Sequence, residues 1–359
     1  MPTPTLPPFL DTPAAAAPDS SGLYQKLVEL PDQLAVAAQE VAKLESPARW
    51  RDVVFVVMCG MGGSAIGGEV AADLPVGFRR KPLLVNREYD LPAHVGVGTL
   101  VIIISYSGET EEALACFAEA GRLGAERFVV AGGGRLAELA QAQGVPCYRF
   151  SYQAPSRDAF GYLFAPVVWA LGAAGVLEPA ETDLTASIAA LRAYALALAP
   201  SVPSTENPAK TLAYLMFGRV PIIVGSRLTQ GVARRWKNQL NEHAKTVASW
   251  DALPELNHNT SEGFVNPAHF KADCVVLLLG TSADHPEVAK RRGIFSRHLQ
   301  RSGVVVQEVV GAGVGLWAEK LTLLALGDWA SYYLALLYRT DPAPVLVIDA
   351  LKAELRRSV

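Results

Sequence analysis

Short, unbroken apolar runs alternate with helix-like stretches along most of this chain. Residues 52–59 (DVVFVVMC) lead into GMGGSAIGG, 82–86 (PLLVN) follow a helical stretch, 99–105 (TLVIIIS) lead into YSGET, and 127–131 (RFVVA) lead into GGGR. Runs apolar at every position suit strands buried on both faces, and their alternation with helices predicts a parallel sheet covered on each side. The pattern returns with 220–225 (VPIIVG) into SRLTQG, 273–280 (DCVVLLLG) into TSADH, and 304–310 (VVVQEVV) into GAGVG. Helices are predicted over 111–123, 231–249, 287–302 and 316–337. The fold class is therefore α/β, with two doubly wound domains, each a mainly parallel sheet flanked by helices. The second is a weaker echo of the first, and a cleft or subunit seam lies between them.

Ahead of the first strand, Leu27, Leu30, Leu34, Ala37, Ala38, Val41 and Leu44 recur at helical spacing over 24–44. The first twenty residues hold six prolines, no basic residue and no signal-peptide apolar core, so 1–22 are expected to be a flexible extension. The domain reading continues with 23–152, a helical connector over 153–205, a second domain over 206–340 and a helical tail over 341–359 that completes the site. Inside the connector, the uncharged run 159–177 (AFGYLFAPVVWALGAAGVL) is just long enough to span a bilayer. Gly161, Pro166, Gly172 and Gly175 interrupt it, Arg157, Asp158 and Glu178 border it, and it has no companion of similar length. A helix buried on all sides at a domain or subunit seam is the expected state, with no membrane involved.

Composition narrows the class further. Of 359 residues, 50% are apolar and 19% charged, which excludes disorder for the bulk of the chain. A net charge of −3 excludes global attraction to nucleic acid. Cys59, Cys116, Cys147 and Cys274 are widely spaced and read as reduced core thiols of a cytoplasmic protein. His94, His243, His258, His269, His285 and His298 have no metal-ligand spacing, so no metal is expected.

In a parallel sheet, chemistry gathers at the carboxyl ends of the strands. Residues 60–65 (GMGGSA) fit a dinucleotide fingerprint, but PLLVN ends at Asn86 rather than at an acid, with Glu88 beyond. No Gly-Lys-Ser/Thr follows, which excludes a Walker loop. What remains is a loop whose glycines let backbone amides approach an anion, with Ser64 adding a hydroxyl at a helix start. Ser105, Ser107 and Thr110 in SYSGET place three more hydroxyls beside a second helix N-terminus. Ser107 or Thr110 alone would serve equally as an N-cap, but two such loops at neighbouring strand ends favour a phosphate monoester.

Taken in order, GMGGSAIGG, SYSGET, PSRDAFGYLF, KNQLNEHAK and PELNHN resemble the bifunctional phosphoglucose/phosphomannose isomerases, a family of the sugar isomerase (SIS) fold distinct from the zinc-dependent phosphomannose isomerases. The resemblance spans residues 23–352. It implies cofactor-free interconversion of glucose 6-phosphate, and of mannose 6-phosphate, with fructose 6-phosphate. The reaction opens the ring and moves a proton between C1 and C2 through a cis-enediolate. By this resemblance Glu242 shuttles the proton, His258 helps open the ring, Arg157 stabilises the enediolate and Lys352 assists at the ring oxygen. The phosphate lies on Gly62, Gly63, Ser64, Ser105, Ser107 and Thr110. A homodimer is implied too, with His258 entering the partner's site.

Read without the resemblance, Glu242 lies on the polar side of its helix with Asn238 and Lys245, the ordinary place of a solvated residue. His258 suits a loop hydrogen bond, Arg157 suits a pairing with Asp158, and Lys352 suits a surface position. Several positions depart from the family pattern. Asp158 stands where a small apolar residue is expected, and its carboxylate could attenuate the field of Arg157. His243 replaces Asn or Ser, Thr260 replaces an acid, and the stretch 341–352 (DPAPVLVIDALK) lacks the threonine associated with mannose 6-phosphate use, Thr340 being nearest. Two other classes stay open: a non-catalytic SIS sensor of sugar phosphates, and a dinucleotide oxidoreductase.

Overall fold

The computed structural model describes residues 8–74 and 80–357. In the first half α1 (Tyr24–Val28) and α2 (Leu30–Val41) precede β1 (Phe55–Cys59), α3 (Gly62–Ala72), β2 (Leu83–Asn86), β3 (Thr99–Ser105), α4 (Glu111–Arg122), β4 (Glu126–Ala131), α5 (Gly134–Ala142) and β5 (Cys147–Arg149). The five strands are all parallel, in the order β2-β1-β3-β4-β5. Every residue of β3 is buried, as its unbroken apolar run requires of a central strand. Cys59 at the end of β1 lies opposite Ile103, and Ser105 at the end of β3 opposite Ala131, so both Gly/Ser loops emerge from one edge of the sheet.

The second half comprises α6 (Phe160–Ala173), α7 (Pro179–Thr182), α8 (Thr185–Leu196), α9 (Pro208–Met216), β6 (Val220–Gly225), α10 (Gln230–Glu242), β7 (Ser249–Ala252), α11 (Phe270–Asp273), β8 (Cys274–Gly280), α12 (Pro286–Arg301), β9 (Val305–Val310), α13 (Leu316–Leu337) and α14 (Leu346–Arg357). Its four strands are parallel in the order β7-β6-β8-β9. The two-sheet α/β reading therefore holds.

Local differences have local causes. The helix expected over 24–44 breaks at residue 29, because Pro31 in the first turn of α2 has no amide hydrogen to continue α1. The helix expected over 231–249 stops at Glu242. Lys245 takes a left-handed φ of 53° and the Thr246 amide donates to the Leu240 carbonyl, which turns the chain out into β7.

The expected flexible extension is also replaced by packing from Pro8 onward. Leu10 and Ala15 are buried. Asp11 accepts from Lys210 Nζ at 2.8 Å and from the Ser204 amide at 3.0 Å. Apolar anchors between the prolines, and a carboxylate for a buried lysine, outweigh the linker-like composition. Residues 1–7 lie outside the described residues.

The 159–177 run forms α6, buried along most of its length. A methyl on Gly161 would lie 2.5 Å from Gln33 Cβ and 2.6 Å from the Leu34 amide nitrogen, so the glycine is what lets α6 approach α2 so closely. On its other sides α6 meets α3, and Phe164 packs edge-on to Trp317 of α13 at 5.4 Å. The run thus bridges the two halves. Among the described residues no helix is long and apolar enough to cross a membrane.

Candidate active site

The loops expected to hold an anion follow β1 and β3. Helix α3 begins two residues past β1, its N-cap Met61 supplies no capping side chain, and its first turn carries no acid. Its leading amides, from Gly62 and Gly63, are therefore open to an anion. Ser64 Oγ accepts from the Tyr106 amide at 3.1 Å and so ties this loop to the next. There Ser105 Oγ and Thr110 Oγ1 are 2.9 Å apart, the Gly108 amide donates to Ser105 Oγ at 3.0 Å, and the Glu109 amide donates to Ser107 Oγ at 3.2 Å. Glu111 and Glu112 occupy the first turn of α4 and disfavour a phosphate there, so α3 is the better of the two helix starts.

Arg157 sits in the turn Ser156–Asp158 directly before α6. The backbone of this turn packs on Gly63, where a methyl would come within 2.9 Å of the Arg157 nitrogen. The side chain is buried, 4% exposed, with Nη1 3.4 Å from Glu242 Oε2. Its Nη2 donates to the carbonyls of Pro342 at 3.2 Å and Ala343 at 2.6 Å. Glu242 is the last residue of α10, a helix that packs against both α3 and α13, and its side chain is 25% exposed. The structure therefore brings Arg157, Glu242 and the anion loop together.

Lys245 joins this group, although sequence reasoning gave it no role. Its Nζ donates to the Glu242 carbonyl at 2.5 Å and to Pro342 O at 3.2 Å, sharing that oxygen with Arg157. Burial, then the charge of Arg157, lower its pKa. The signal in the sequence was only its place on the polar side of the helix expected over 231–249.

His258 and Lys352 are not brought to the pair within this chain. His258, itself exposed, ends the turn Glu255–His258 beyond β7, which is anchored by the buried Leu256. Lys352 lies on α14, which displays Leu346, Val347, Leu351 and Leu355 to solvent. Thr260, one of the departures, donates to Asp251 Oδ2 at 2.6 Å and so ties the His258 loop to β7.

The other two departures meet each other. His243 Nε2 lies 3.3 Å from Asp158 Oδ1, and His243 Nδ1 lies 3.0 Å from Ser331 Oγ. Asp158 Oδ2 is 3.5 Å from Arg157 Nε. Burial alone would raise the Asp158 pKa, but His243, Arg157 and Arg235 outweigh it and hold the carboxyl below its ordinary value. Behind them Arg235 donates to Asp328 through Nε at 3.0 Å and Nη2 at 2.7 Å, and from Nη2 to the Arg157 carbonyl at 2.9 Å. Burial raises the Asp328 pKa despite that partner.

The corresponding loops of the second domain are filled by their own side chains. Asp284 accepts from Ser226 Oγ at 2.6 Å and from the Thr281 amide at 3.2 Å, and pairs with Arg292. A carboxylate of the chain itself thus fills these loops, unlike the first turn of α3, which carries no acid. Among the described residues no group of three or more His, Cys, Asp or Glu is arranged to hold a metal ion.

Two parallel α/β units, one carrying an amide-and-hydroxyl loop beside a guanidinium–carboxylate pair, place this chain in the SIS class. Residues 205–355 match the family model described as the bacterial phospho-glucose isomerase C-terminal SIS domain. The crystal structure of tagatose-6-phosphate ketose/aldose isomerase from Escherichia coli has the same fold, with a TM-score of 0.70 over 92% of this chain and 96% of that one, at 15% identity. The bifunctional phosphoglucose/phosphomannose isomerase of Caldicellulosiruptor bescii is 34% identical over 93% of this chain and 98% of its own length. That of Aquifex aeolicus is 34% identical over 89% of this chain and 94% of its own. The chain belongs to the bifunctional phosphoglucose/phosphomannose isomerase family.

Proposed function

We propose that this chain interconverts glucose 6-phosphate, and also mannose 6-phosphate, with fructose 6-phosphate, without a cofactor or metal. The observation that carries the reading is the buried Arg157 guanidinium 3.4 Å from the partly exposed Glu242 carboxylate, beside the loop of Gly62, Gly63 and Ser64. The phosphate rests on the first turn of α3 and on the hydroxyls of Ser64, Ser105, Ser107 and Thr110. Glu242 takes the proton from C2 of the open aldose and returns it at C1. The negative charge that develops on the enediolate oxygens is met by Arg157, whose charge persists at any working pH. For this the substrate oxygen replaces the carbonyls of Pro342 and Ala343 on Nη2, so the 340–345 strap shifts when substrate binds.

Ring opening needs an acid and a base at the ring oxygen and the C1 hydroxyl. In this reading His258 supplies one from a second copy of the chain in a homodimer, and Lys352 assists once α14 docks. The exposed position of His258 and the apolar residues displayed by α14 support that arrangement. Four free cysteines suit a reducing, cytoplasmic setting.

The test is fructose 6-phosphate formation from glucose and mannose 6-phosphates by purified protein in EDTA. Turnover of both is expected, and inactivity of folded protein overturns the reading. Glu242→Gln should abolish turnover while phosphate-ester binding is retained. Ligand-induced stabilisation with no solvent exchange at C2 would instead indicate a sensor.

A further inference from the structure

His243 directly follows the proposed base Glu242, yet its side chain is fully buried at 0% exposure. Its hydrogen-bond partners constrain its protons. The Ser331 hydroxyl donates to the Asp328 carbonyl at 2.7 Å, so toward His243 Nδ1 it presents lone pairs. The other nitrogen faces the carboxylate of Asp158. With the Ser331 hydrogen on the Asp328 carbonyl, both neighbours accept and both ring nitrogens donate, which only the doubly protonated ring can do.

The fixed charges around the ring are of both signs. Asp158 and Arg157 face it from the turn before α6, Asp328 from α13, and Arg235 and Glu242 lie on the preceding helix α10, with Lys245 just beyond. The carboxylate in direct contact with the ring is that of buried Asp158, and a cation on its Oδ1 would pair the oxygen that Arg157 does not reach.

We propose that His243 is a buried imidazolium that draws Asp158 to itself and so frees Arg157 to act on the substrate. It is a positioning residue, acting through Asp158 and Arg157 rather than on the sugar. Alone, Asp158 would spend part of the guanidinium's field on its own carboxylate. With His243 on its second oxygen, that carboxylate is neutralised from behind, and the face of Arg157 toward Glu242 keeps its positive potential. The kinetic consequence rests on the isomerase reading above, but the charge state does not.

The charge state is read from side-chain proton–nitrogen correlation spectra of the 15N-labelled full-length protein at about pH 7.5, a unit above the ordinary imidazole value of ~6.5. The resonance is assigned by His243→Asn or, should that variant not fold, by elimination through variants of His94, His258, His269, His285 and His298. The expected result is protons on both nitrogens in the wild type and on one in Asp158→Asn. A singly protonated ring in the wild type overturns the proposal. In turnover assays, His243→Asn should lower kcat roughly tenfold with KM within about twofold, because an interaction felt mainly in the transition state is weakened. Asp158→Asn combined with His243→Asn should restore most of kcat, since removing both charges leaves neither unpaired. A double variant no better than the product of the singles overturns the positioning role. A wild type without isomerase activity removes the reading of function, and the spectra still decide the state of His243.

Discussion

The bare Cα of Gly63 lies where a methyl would stand 2.9 Å from the amide nitrogen of Arg157 and 3.0 Å from its Cα. Both are backbone atoms of a turn that leads straight into a buried helix, so neither can rotate aside. The contact sets the distance between the Gly/Ser loop and the backbone that carries Arg157, and so, in the proposed function, between the two ends of a bound hexose phosphate.

Gly63→Ala should therefore fold, at a cost of about 1–3 kcal/mol for overpacking. It should lose about 100-fold in kcat/KM, the scale of a misplacement of about an ångström. Thermal melting and steady-state kinetics with fructose 6-phosphate check the two halves of this expectation. An unchanged kcat/KM would mean that the loop and Arg157 are not held in register by this contact.

Arg157→Lys keeps the charge and loses the fork that reaches Glu242 and the Pro342 and Ala343 carbonyls together. In the proposed mechanism the lost contacts matter most when the enediolate forms, so a kcat reduction of about 100-fold or more is expected, with a smaller change in KM. Kinetics with glucose 6-phosphate decide it, and a kcat near wild type would move enediolate stabilisation elsewhere.

Asp11→Ala tests the docked N-terminal segment. Lys210 is 1% exposed and would lose its carboxylate, keeping the carbonyls of Pro200 and Val202. A loss of about 1–3 kcal/mol is expected, the worth of a hydrogen bond to a charged group. Urea melts measure it. An unchanged midpoint would show that the segment does not pack in solution as it does here.

Stability should also depend on pH through Asp73, which joins the two halves. It is fully buried and accepts from the Gly231 amide at 2.6 Å and Gln230 Nε2 at 3.0 Å. Burial pushes its pKa from 3.8 up to about 6, against the opposing charge of Lys320 and these hydrogen bonds. The folded state thus holds this proton to higher pH than the unfolded chain does. Asp73 consequently makes stability fall as pH rises from about 4 to about 6, and the loss is complete above that window. Relative to wild type, Asp73→Asn should be flatter across this window in urea midpoints. Identical slopes would refute the assignment to Asp73.

Much of the scaffold was legible because burial on both faces leaves a local mark. β3, β6 and α13 span the residues their apolar runs predict, 99–105, 220–225 and 316–337. The Gly/Ser loops at the ends of β1 and β3 were legible as well, since a tight passage from strand to helix needs glycine whatever surrounds it. Glu242 was not. Helical periodicity puts it on a polar face, and nothing in α10 says that this face meets Arg157 rather than water. The end of α10 was misplaced for a similar reason: Val247 and Trp250 continue the apolar rhythm, while the left-handed Lys245 that stops the helix carries no glycine to announce it.

By itself, the sequence determined the α/β class, the strands, the long buried helix and the position of the Gly/Ser loops, because each follows from the hydrophobicity and conformational freedom of neighbouring residues. Only the tertiary structure decided that Asp158 and His243, unrelated departures in the sequence, face each other, and that a carboxylate closes the second domain's loop. Such pairings depend on how α10 crosses α3 and α13 and how the turn before α6 meets them. Those angles are set by side-chain packing across whole helices, through Gly161 and Gly63 among others, and no local pattern encodes them.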